Sequence, residues 1–258
     1  MTARRAPWGR ITLAIALIAS VLYLDLRPEQ LWGGLRNLGR LYRDALPPQT
    51  DLLPAAARAL LETLAIALLG TAAGFVFALP LGLAGAKTIS PKRLFIPARL
   101  LAAAIRSLPA LLWAVFFVIL VGFGPLAGVL AMTMYTAGHL AKLQYESLEG
   151  LPSEPFEAAR ATGATFPQLA RFVAIPEASN LLLSQLLYIF EYNVRASSIL
   201  GFVGAGGIGF YILRYLQLLQ YDGVLTLLLV VFVTVVAIDL GSLAIRSRYL
   251  TRLPMSRG

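Results

Sequence analysis

Long apolar stretches separated by short polar segments dominate this chain. A transmembrane helix needs about 20 mostly apolar residues, and six segments have that character: residues 11–26, 57–86, 98–121, 125–146, 177–200 and 223–245. None of them shows the polar–apolar alternation that marks the strands of a membrane β-barrel. Because backbone exposed to lipid must satisfy its own hydrogen bonds, the pattern predicts an all-α polytopic membrane protein with about six transmembrane helices.

The first two apolar stretches carry further signals. The first resembles a signal peptide but has no evident small-residue cleavage site, so we expect an uncleaved span. The polar connector after it holds Trp32 and Tyr42, which suit the membrane interface, and Pro47-Pro48, which interrupt any helix. Pro80 is expected to kink the second stretch or to end its regular part.

The balance of charges favours a membrane protein over a nucleic-acid-binding one. Of the 258 residues, 58 % are hydrophobic and 14 % are charged, whereas about a quarter of the residues in a soluble domain are charged. The net charge is +9, but the basic residues cluster in short loops and not on one face, so no nucleic-acid partner is expected.

The basic residues also predict the orientation. With the N-terminus inside, fourteen Lys and Arg residues lie in inner segments and six in outer ones, which predicts cytoplasmic N- and C-termini in a bacterial cytoplasmic (inner) membrane. We therefore expect two parts. Residues 1–56 form a transmembrane helix with a periplasmic connector, and residues 57–258 form the transmembrane core.

Side chains that support catalysis or bind metals are scarce. The chain has no cysteine and one histidine, so no zinc centre or other metal site is expected. Clustered nucleophile–base pairs are missing from the sequence, which argues against an integral membrane enzyme that processes lipid. No Walker A motif occurs, so this chain is expected to bind no ATP and no cofactor itself.

The loop between the fourth and fifth stretches, residues 151–176, is predicted to form two short helices. Ser153 or Glu154 is placed to cap the first helix, and Gly163 to end it in a left-handed conformation. A T-x-x-Q capping box opens the second helix at Thr165. The loop has apolar side chains that it cannot bury alone, namely Phe156, Phe166, Leu169 and Phe172. Such a surface suits a protein partner or, as the alternative, membrane headgroups.

The same loop contains a spaced motif. It resembles the E-A-A-x3-G-x9-I-x-L-P signature of binding-protein-dependent ABC importer permeases, with Val173 and Ile175 as two conservative departures. The resemblance implies that the loop forms coupling helices that dock into a separate ATPase subunit. The residues that it assigns to ATPase coupling are Glu157, Ala158, Ala159, Gly163, Phe166, Val173, Ile175 and Pro176.

A second stretch, FEYNVRASSILGFVGAGGIGFYI from Phe190 to Ile212, looks like the characteristic run of the phosphonate-type permeases. The resemblance implies the five-helix core of a type I ABC importer permease, in which a homodimer forms the pathway for phosphonate or a related phosphorus oxyanion. It also implies two copies of an ABC ATPase, which binds ATP and Mg, and a periplasmic or lipid-anchored substrate-binding protein. The alternatives are a permease of the same ABC class for a different small solute, and an ATP-independent channel or transporter.

The GAGGIG segment within this stretch also fits the G-x-G-x-x-G fingerprint of dinucleotide-binding folds. That fold needs a preceding strand and an acidic residue about 20 positions later, and the sequence pattern offers neither. We expect instead either close backbone packing at a gate or a simple periplasmic turn. The glycines concerned are Gly204, Gly206, Gly207 and Gly209.

Polar and charged side chains within the apolar stretches define a candidate substrate pathway, namely Arg106, Ser107, Glu191, Asn193 and Arg195. Structural alternatives stay open for three of them. Glu191 and Arg195 are four residues apart and can pair on one helix face, while Arg106 can extend to the cytoplasmic surface. His139 is expected to be a packed, hydrogen-bonded side chain and not a ligand.

Overall fold

The structure is a computed structural model that describes residues 8–25 and 27–249, and all regular structure in this part of the chain is helical. The helices are α1 (Trp8–Tyr23), α2 (Pro28–Ala45), α3 (Leu53–Gly85), α4 (Lys92–Arg106), α5 (Ala110–Val121), α6 (Pro125–Glu149), α7 (Glu154–Ala161), α8 (Phe166–Leu169), α9 (Ile175–Leu200), α10 (Ile208–Gln217) and α11 (Tyr221–Tyr249). They divide into two compact units, with the boundary between Pro47 and Pro48. The all-α prediction is confirmed.

The first unit contains α1, which is mostly apolar, and α2, which is amphipathic. One face of α2 carries Leu31, Leu35 and Leu38, and the opposite face carries Arg36 and Arg40. A helix with this division of side chains suits the membrane interface. The segment predicted as a polar connector is therefore mostly helical, and α2 ends at Ala45, before the two prolines.

The core of the second unit is built on the contact between α3 and α6. A Cβ atom on Gly74 would lie 2.6 Å from Thr136 Cγ2, and one on Gly82 would lie 2.6 Å from Gln144 Oε1. Glycine therefore permits the two backbones to approach closely. In a membrane no hydrophobic effect drives helices together, so close van der Waals packing of this kind holds them to each other. As a result, α6 is enclosed by α3, α4, α5 and α9.

Three helical segments are each long and apolar enough to cross a membrane: Thr50–Gly85, Phe166–Val203 and Tyr221–Arg248. Two bent pairs, α1 with α2 and α4 with α5, raise the number to five if each pair is one span. The 25 residues of α6 extend over about 37 Å, enough to cross a bilayer. Its enclosure explains its less apolar composition, because a helix surrounded by protein needs no apolar exterior.

The structure decides two expectations at prolines. First, of the two outcomes expected at Pro80, an end of the regular helix is not observed, since α3 continues to Gly85, as membrane helices allow when neighbouring groups satisfy the freed backbone. Second, the stretch 98–121 is not one helix, because α4 and α5 are bent by 83° across the break at Ser107-Leu108-Pro109. Proline disfavours a helical conformation in the residue before it, so Pro109 explains why the helix breaks here. The apolar pattern, which predicted one span, continues across the break.

A buried amide joins three helices in the core. Asn193 of α9 is fully buried, and its Nδ2 donates to Thr71 Oγ1 of α3 and to Thr136 Oγ1 of α6, both at 2.7 Å. A polar group without water needs such partners, so this pairing sets the rotation of α9 against α3 and α6.

We therefore predict that Asn193→Ala destabilises the core, because it removes two interhelical hydrogen bonds. The buried Thr136 hydroxyl loses its amide partner, while Thr71 keeps its hydrogen bond to the Ala67 carbonyl. The expected loss is about 1–3 kcal/mol of unfolding free energy, measured by unfolding in detergent micelles. Asn180→Ala, at an exposed position of the same helix, is the matched control. Equal stability of the two variants would contradict a structural role for the amide.

Candidate functional site

The loop between α6 and α9 has the local structure that its sequence predicts at two of three signals. Gly163 ends α7 with a φ of +81°, and the capping box at Thr165 is formed, with its backbone N donating to Gln168 Oε1 at 2.7 Å. Ser153 occupies the N-cap position of α7, but its side chain makes no capping hydrogen bond.

The second short helix of this loop is not a separate element. After α8, a π-helical turn over Ala170–Ala174 leads directly into α9 at Ile175, with Pro176 in the first turn. The whole segment Phe166–Val203 therefore forms one continuous helical unit. A displacement of the loop is consequently a displacement of α9.

The apolar side chains of the loop divide into buried and exposed ones. Phe156 and Leu169 are 2 % and 3 % exposed and pack in a cluster with Ile89, Tyr145 and Leu148. The loop does not bury these two alone, because the α3–α4 turn and the end of α6 cover them, and they therefore form no part of its exposed surface. Phe166 is only partly buried, and Phe172 remains 69 % exposed.

Polar contacts join the loop to the turn between α3 and α4. The guanidinium of Arg160 on α7 donates to the Thr88 carbonyl of that turn. The turn itself is held by Glu149 at the end of α6, which accepts from the Lys87 backbone N at 2.8 Å and pairs with Arg99. These contacts brace α7 against the ends of α3, α4 and α6.

The outer surface of the loop carries exposed motif residues and a groove that Gly163 helps to line. Glu157, Ala158 and Gly163 are exposed. The groove has a volume of about 320 Å³, and its lining residues are Ala159, Thr162, Gly163, Ala164, Gln168, Phe172 and Val173. The loop thus presents a braced surface that combines small, polar and aromatic side chains.

The GAGGIG segment is a tight turn between α9 and α10. Gly204, Gly206 and Gly207 have φ values of +83°, +83° and +78°, in the region that favours glycine. The Gly207 N donates to Glu62 Oε1 of α3 at 3.0 Å, and the Ile208 N donates to Thr63 Oγ1 at 2.8 Å. A helix, α9, precedes the turn, so the turn lacks the strand that a dinucleotide-binding fold requires.

Close backbone packing is present at the same turn. A Cβ atom on Gly209 would overlap the Ser198 carbonyl oxygen, and one on Gly206 would lie 3.1 Å from the Pro125 backbone N. The predicted close approach of backbone at these glycines is therefore observed. A role of the turn as a gate stays a prediction.

The predicted pair of Glu191 and Arg195 does not form. Glu191 Oε1 accepts from Arg246 Nη2 at 2.8 Å, and Arg195 Nη1 donates to Asp239 Oδ2 at 3.4 Å. Both partners lie on α11, which packs against α9. A spacing of four residues places two side chains on one face, but here the neighbouring helix provides the opposite charges.

The remaining pathway candidates are not brought together. Asn193 is enclosed in the core, as described above. Arg106 and Ser107 lie at the break between α4 and α5, where Ser107 Oγ donates to the Ala104 carbonyl at 2.7 Å. Only Arg195 borders an open groove, of about 310 Å³, whose other lining residues include Pro109 and Tyr192.

Three aromatic residues on or next to this part of α9, namely Tyr135, Tyr188 and Tyr192, were not among the predicted site residues. Tyr135 stacks on His139 at 4.0 Å and on Tyr192 at 5.3 Å between ring centroids. His139 Nδ1 lies 3.0 Å from the Tyr135 carbonyl, so the prediction of a packed, hydrogen-bonded histidine is confirmed. Tyr188, Tyr192 and Arg195 recur at helical spacing, which is the signal in the sequence that marks a common face. Among the described residues, no group of three His, Cys, Asp or Glu could hold a metal ion.

Comparison with known proteins gives consistent results. Residues 78–250 match the sequence profile of the binding-protein-dependent transport system inner membrane component. The chain is 36 % identical to the phosphite transport system permease protein PtxC of Stutzerimonas stutzeri over 94 % of this chain and 90 % of that protein. It is 34 % identical to the phosphate-import permease protein PhnE of Mycolicibacterium smegmatis over 90 % of this chain and 44 % of that protein. Its fold is similar to that of an inward-facing MetNI methionine ABC transporter chain, with a TM-score of 0.69, 28 % identity, and coverage of 79 % of this chain and 100 % of that one.

The two phenylalanines of the loop are predicted to differ in their effect on stability. Phe156→Ala empties a buried position and is expected to cost about 3–5 kcal/mol, whereas Phe172→Ala removes an exposed ring and is expected to change stability by less than about 0.5 kcal/mol. Thermal unfolding in detergent, with proteolysis of the loop as a second readout, measures both. A stable Phe156→Ala variant would show that the cluster does not anchor α7.

Proposed function

The chain belongs to the family of binding-protein-dependent transport system inner membrane components, and from this premise we propose that it is the permease subunit of an ATP-driven importer of phosphorus oxyanions. The observation that carries the proposal is the braced loop over residues 154–176. It holds Glu157, Gly163 and Phe172 on an exposed surface while its inner side chains anchor it to three helix ends. A loop whose inner side is packed against helix ends and whose outer side is exposed suits the transfer of force from a partner protein.

The partner at this loop is a separate ATPase subunit that binds ATP and Mg. The motif of the loop and the absence of a Walker A motif from the sequence support this assignment. Two copies of the permease pair around a central pathway, and each copy engages one of two ATPase subunits. Closure of the ATPase dimer moves the loop and with it α9, which continues directly from the loop. The ATPase makes different contacts with the loop in its open and closed states, and this difference provides the coupling.

The substrate class is proposed from relatives and charge. The names of several relatives refer to phosphite, phosphate or phosphonate transport, and Arg195 provides a cationic group beside an open groove. A substrate-binding protein delivers the anion to the outer face. The second candidate is a different small solute, because choline and glycine betaine permeases also match, at 26 % identity.

The orientation is proposed from the distribution of basic residues. Both termini and the loop around Gly163 lie in the cytoplasm of a bacterial cell, and the glycine turn at residues 204–209 lies on the outer side. The hydrogen bonds from the turn to Glu62 and Thr63 of α3 support a role as an outer gate, because they connect it to the central helix pair.

Glu157→Lys is predicted to weaken the complex with the ATPase by about tenfold or more, since a reversed charge in a desolvated interface costs several kcal/mol. Co-purification with the ATPase subunit, and ATPase-dependent uptake in proteoliposomes, measure the effect. Glu177→Lys is the matched control, because both glutamates are exposed and lie in the first turn of a helix. Equal binding by the two variants would contradict docking at this loop.

Substrate uptake tests the transport function directly. Proteoliposomes that contain the permease, its ATPase and its binding protein are expected to take up phosphite or methylphosphonate, but not choline, and only with ATP inside. Uptake of choline alone would support the second candidate. Uptake that persists without the ATPase would overturn the importer assignment.

The orientation leads to a separate prediction. The chain has no native cysteine, so single Thr162→Cys and Gln220→Cys variants, both at exposed positions, report on the two sides of the membrane. An impermeant maleimide is expected to label Gln220→Cys in intact spheroplasts and Thr162→Cys only after lysis. The reverse pattern would place the loop outside the cell.

A further inference from the structure

One face of the packed helices α6 and α9 is polar where the rest of the spanning surface is apolar. On α9 it comprises Tyr188, Tyr192 and Arg195, whose side chains are well exposed in the single chain. On α6 it comprises His139 and Lys142, which are half-buried, and Tyr135, which is buried. We call this set the polar face. It contains hydroxyl, imidazole, ammonium and guanidinium groups, all able to donate hydrogen bonds.

The two helices contribute to the polar face in antiparallel order. Gln185 donates to Ser147 Oγ at 2.6 Å, whereas Tyr192, further along α9, stacks on Tyr135, further back along α6. From Tyr188 to Arg195 the polar groups therefore extend about 10 Å along the helix axis. Tyr135 joins the two sides, because its ring stacks on both His139 and Tyr192.

These side chains are unsuited to lipid. Arginine and histidine within a span face protein or water-filled space, because their burial in hydrocarbon is costly. The exposed surface of α11, by contrast, has the apolar composition that suits contact with lipid. Its large exposed hydrophobic residues are Leu228, Leu229, Phe232, Val233, Val236, Leu240 and Leu243. The polar face is therefore turned away from lipid.

The arrangement of charge distinguishes a passage from a tight binding site. Each end of the polar face has a paired cation, with Lys142 3.3 Å from Glu146 and Arg195 3.4 Å from Asp239. Between these pairs lie the neutral donors of the tyrosines. Arg106, at the end of α4, packs against Gly138 next to His139 and adds one further cation. An anion therefore meets hydrogen-bond donors throughout, and carboxylates at both ends weaken the hold of the cations on it, which suits passage through a membrane.

We propose that Tyr192 and Arg195, together with Tyr188 and His139, form a transient binding site for a tetrahedral oxyanion on the wall of the pathway. This inference rests on the proposed function and adds to it the residues that contact the substrate. It replaces Glu191 and Asn193 among the pathway candidates, since the first is paired with Arg246 and the second is buried.

Conservative variants test the site. Tyr192→Phe and Tyr188→Phe keep the rings and remove only the hydroxyls, and each is expected to reduce phosphite uptake about three- to tenfold. Arg195→Gln is expected to reduce it tenfold or more. The controls are Tyr211→Phe and Arg214→Gln on α10, outside the polar face. ATPase activity stimulated by the binding protein is expected to persist in the two Tyr→Phe variants, which separates loss of a substrate contact from loss of assembly or coupling. Arg195→Gln also removes the ion pair with Asp239, so its uptake is compared with its ATPase activity.

Cysteine labelling provides a second readout that does not depend on transport. In the complex with the ATPase, the Tyr192→Cys variant is expected to react with a water-soluble anionic thiosulfonate, and phosphite is expected to slow this reaction. Leu229→Cys on α11 is the unreactive control. An unreactive Tyr192→Cys variant would overturn the proposal, because the polar face would then be a dry contact between the two copies.

The two proposals fail differently. If the unmodified complex takes up phosphite and the polar-face variants behave like their controls, the importer assignment stands and the oxyanion site is wrong. If the unmodified complex takes up no phosphorus oxyanion, the substrate class of the proposed function is wrong.

Discussion

Close backbone approach between α3 and α6 is the interaction on which the rest of the core depends. The glycines of α3 let α6 sit in the centre of the second unit, surrounded by four helices. Because α6 is enclosed, it can carry threonine, glutamine and histidine in a membrane without facing lipid. Two features follow from that position. The end of α6 supports the loop over residues 151–176 through Tyr145, Leu148 and Glu149, and its middle provides Tyr135 and His139 to the polar face.

Helix α9 is held by polar contacts on two sides. Asn193 bonds it to α3 and α6, and Glu191 and Arg195 bond it to α11. In a medium without water such bonds fix rotation more strictly than apolar packing, since a rotated helix would leave charges and amides unpaired. The face of α9 that carries Tyr188 and Tyr192 takes no part in these bonds and is therefore the face that we propose for the substrate.

Features that depend on neighbouring residues in the chain were predictable from the sequence, whereas contacts between residues distant in the chain were not. The spans, the left-handed Gly163 and the capping box at Thr165 depend on neighbours in the chain, so pattern and spacing predict them. The burial of Phe156 depends on the α3–α4 turn, more than 60 residues away, and the partners of Glu191 and Arg195 lie on α11. The bend at Pro109 was missed for another reason, because the apolar pattern that predicts a span continues unchanged across it.

The continuity of the segment Phe166–Val203 has a mechanical consequence. Its 38 residues form a continuous helical segment about 57 Å long, which includes a π-helical turn at Ala170–Ala174 and a 3-10 turn at Gly201–Val203. A rotation of a segment of that length by about 5° about its Phe166 end would carry the Val203 end sideways by about 5 Å, roughly the width of a small anion. Under the proposed function, a small rotation transmitted through the loop would therefore be enough to open a passage for an anion at the opposite end of α9.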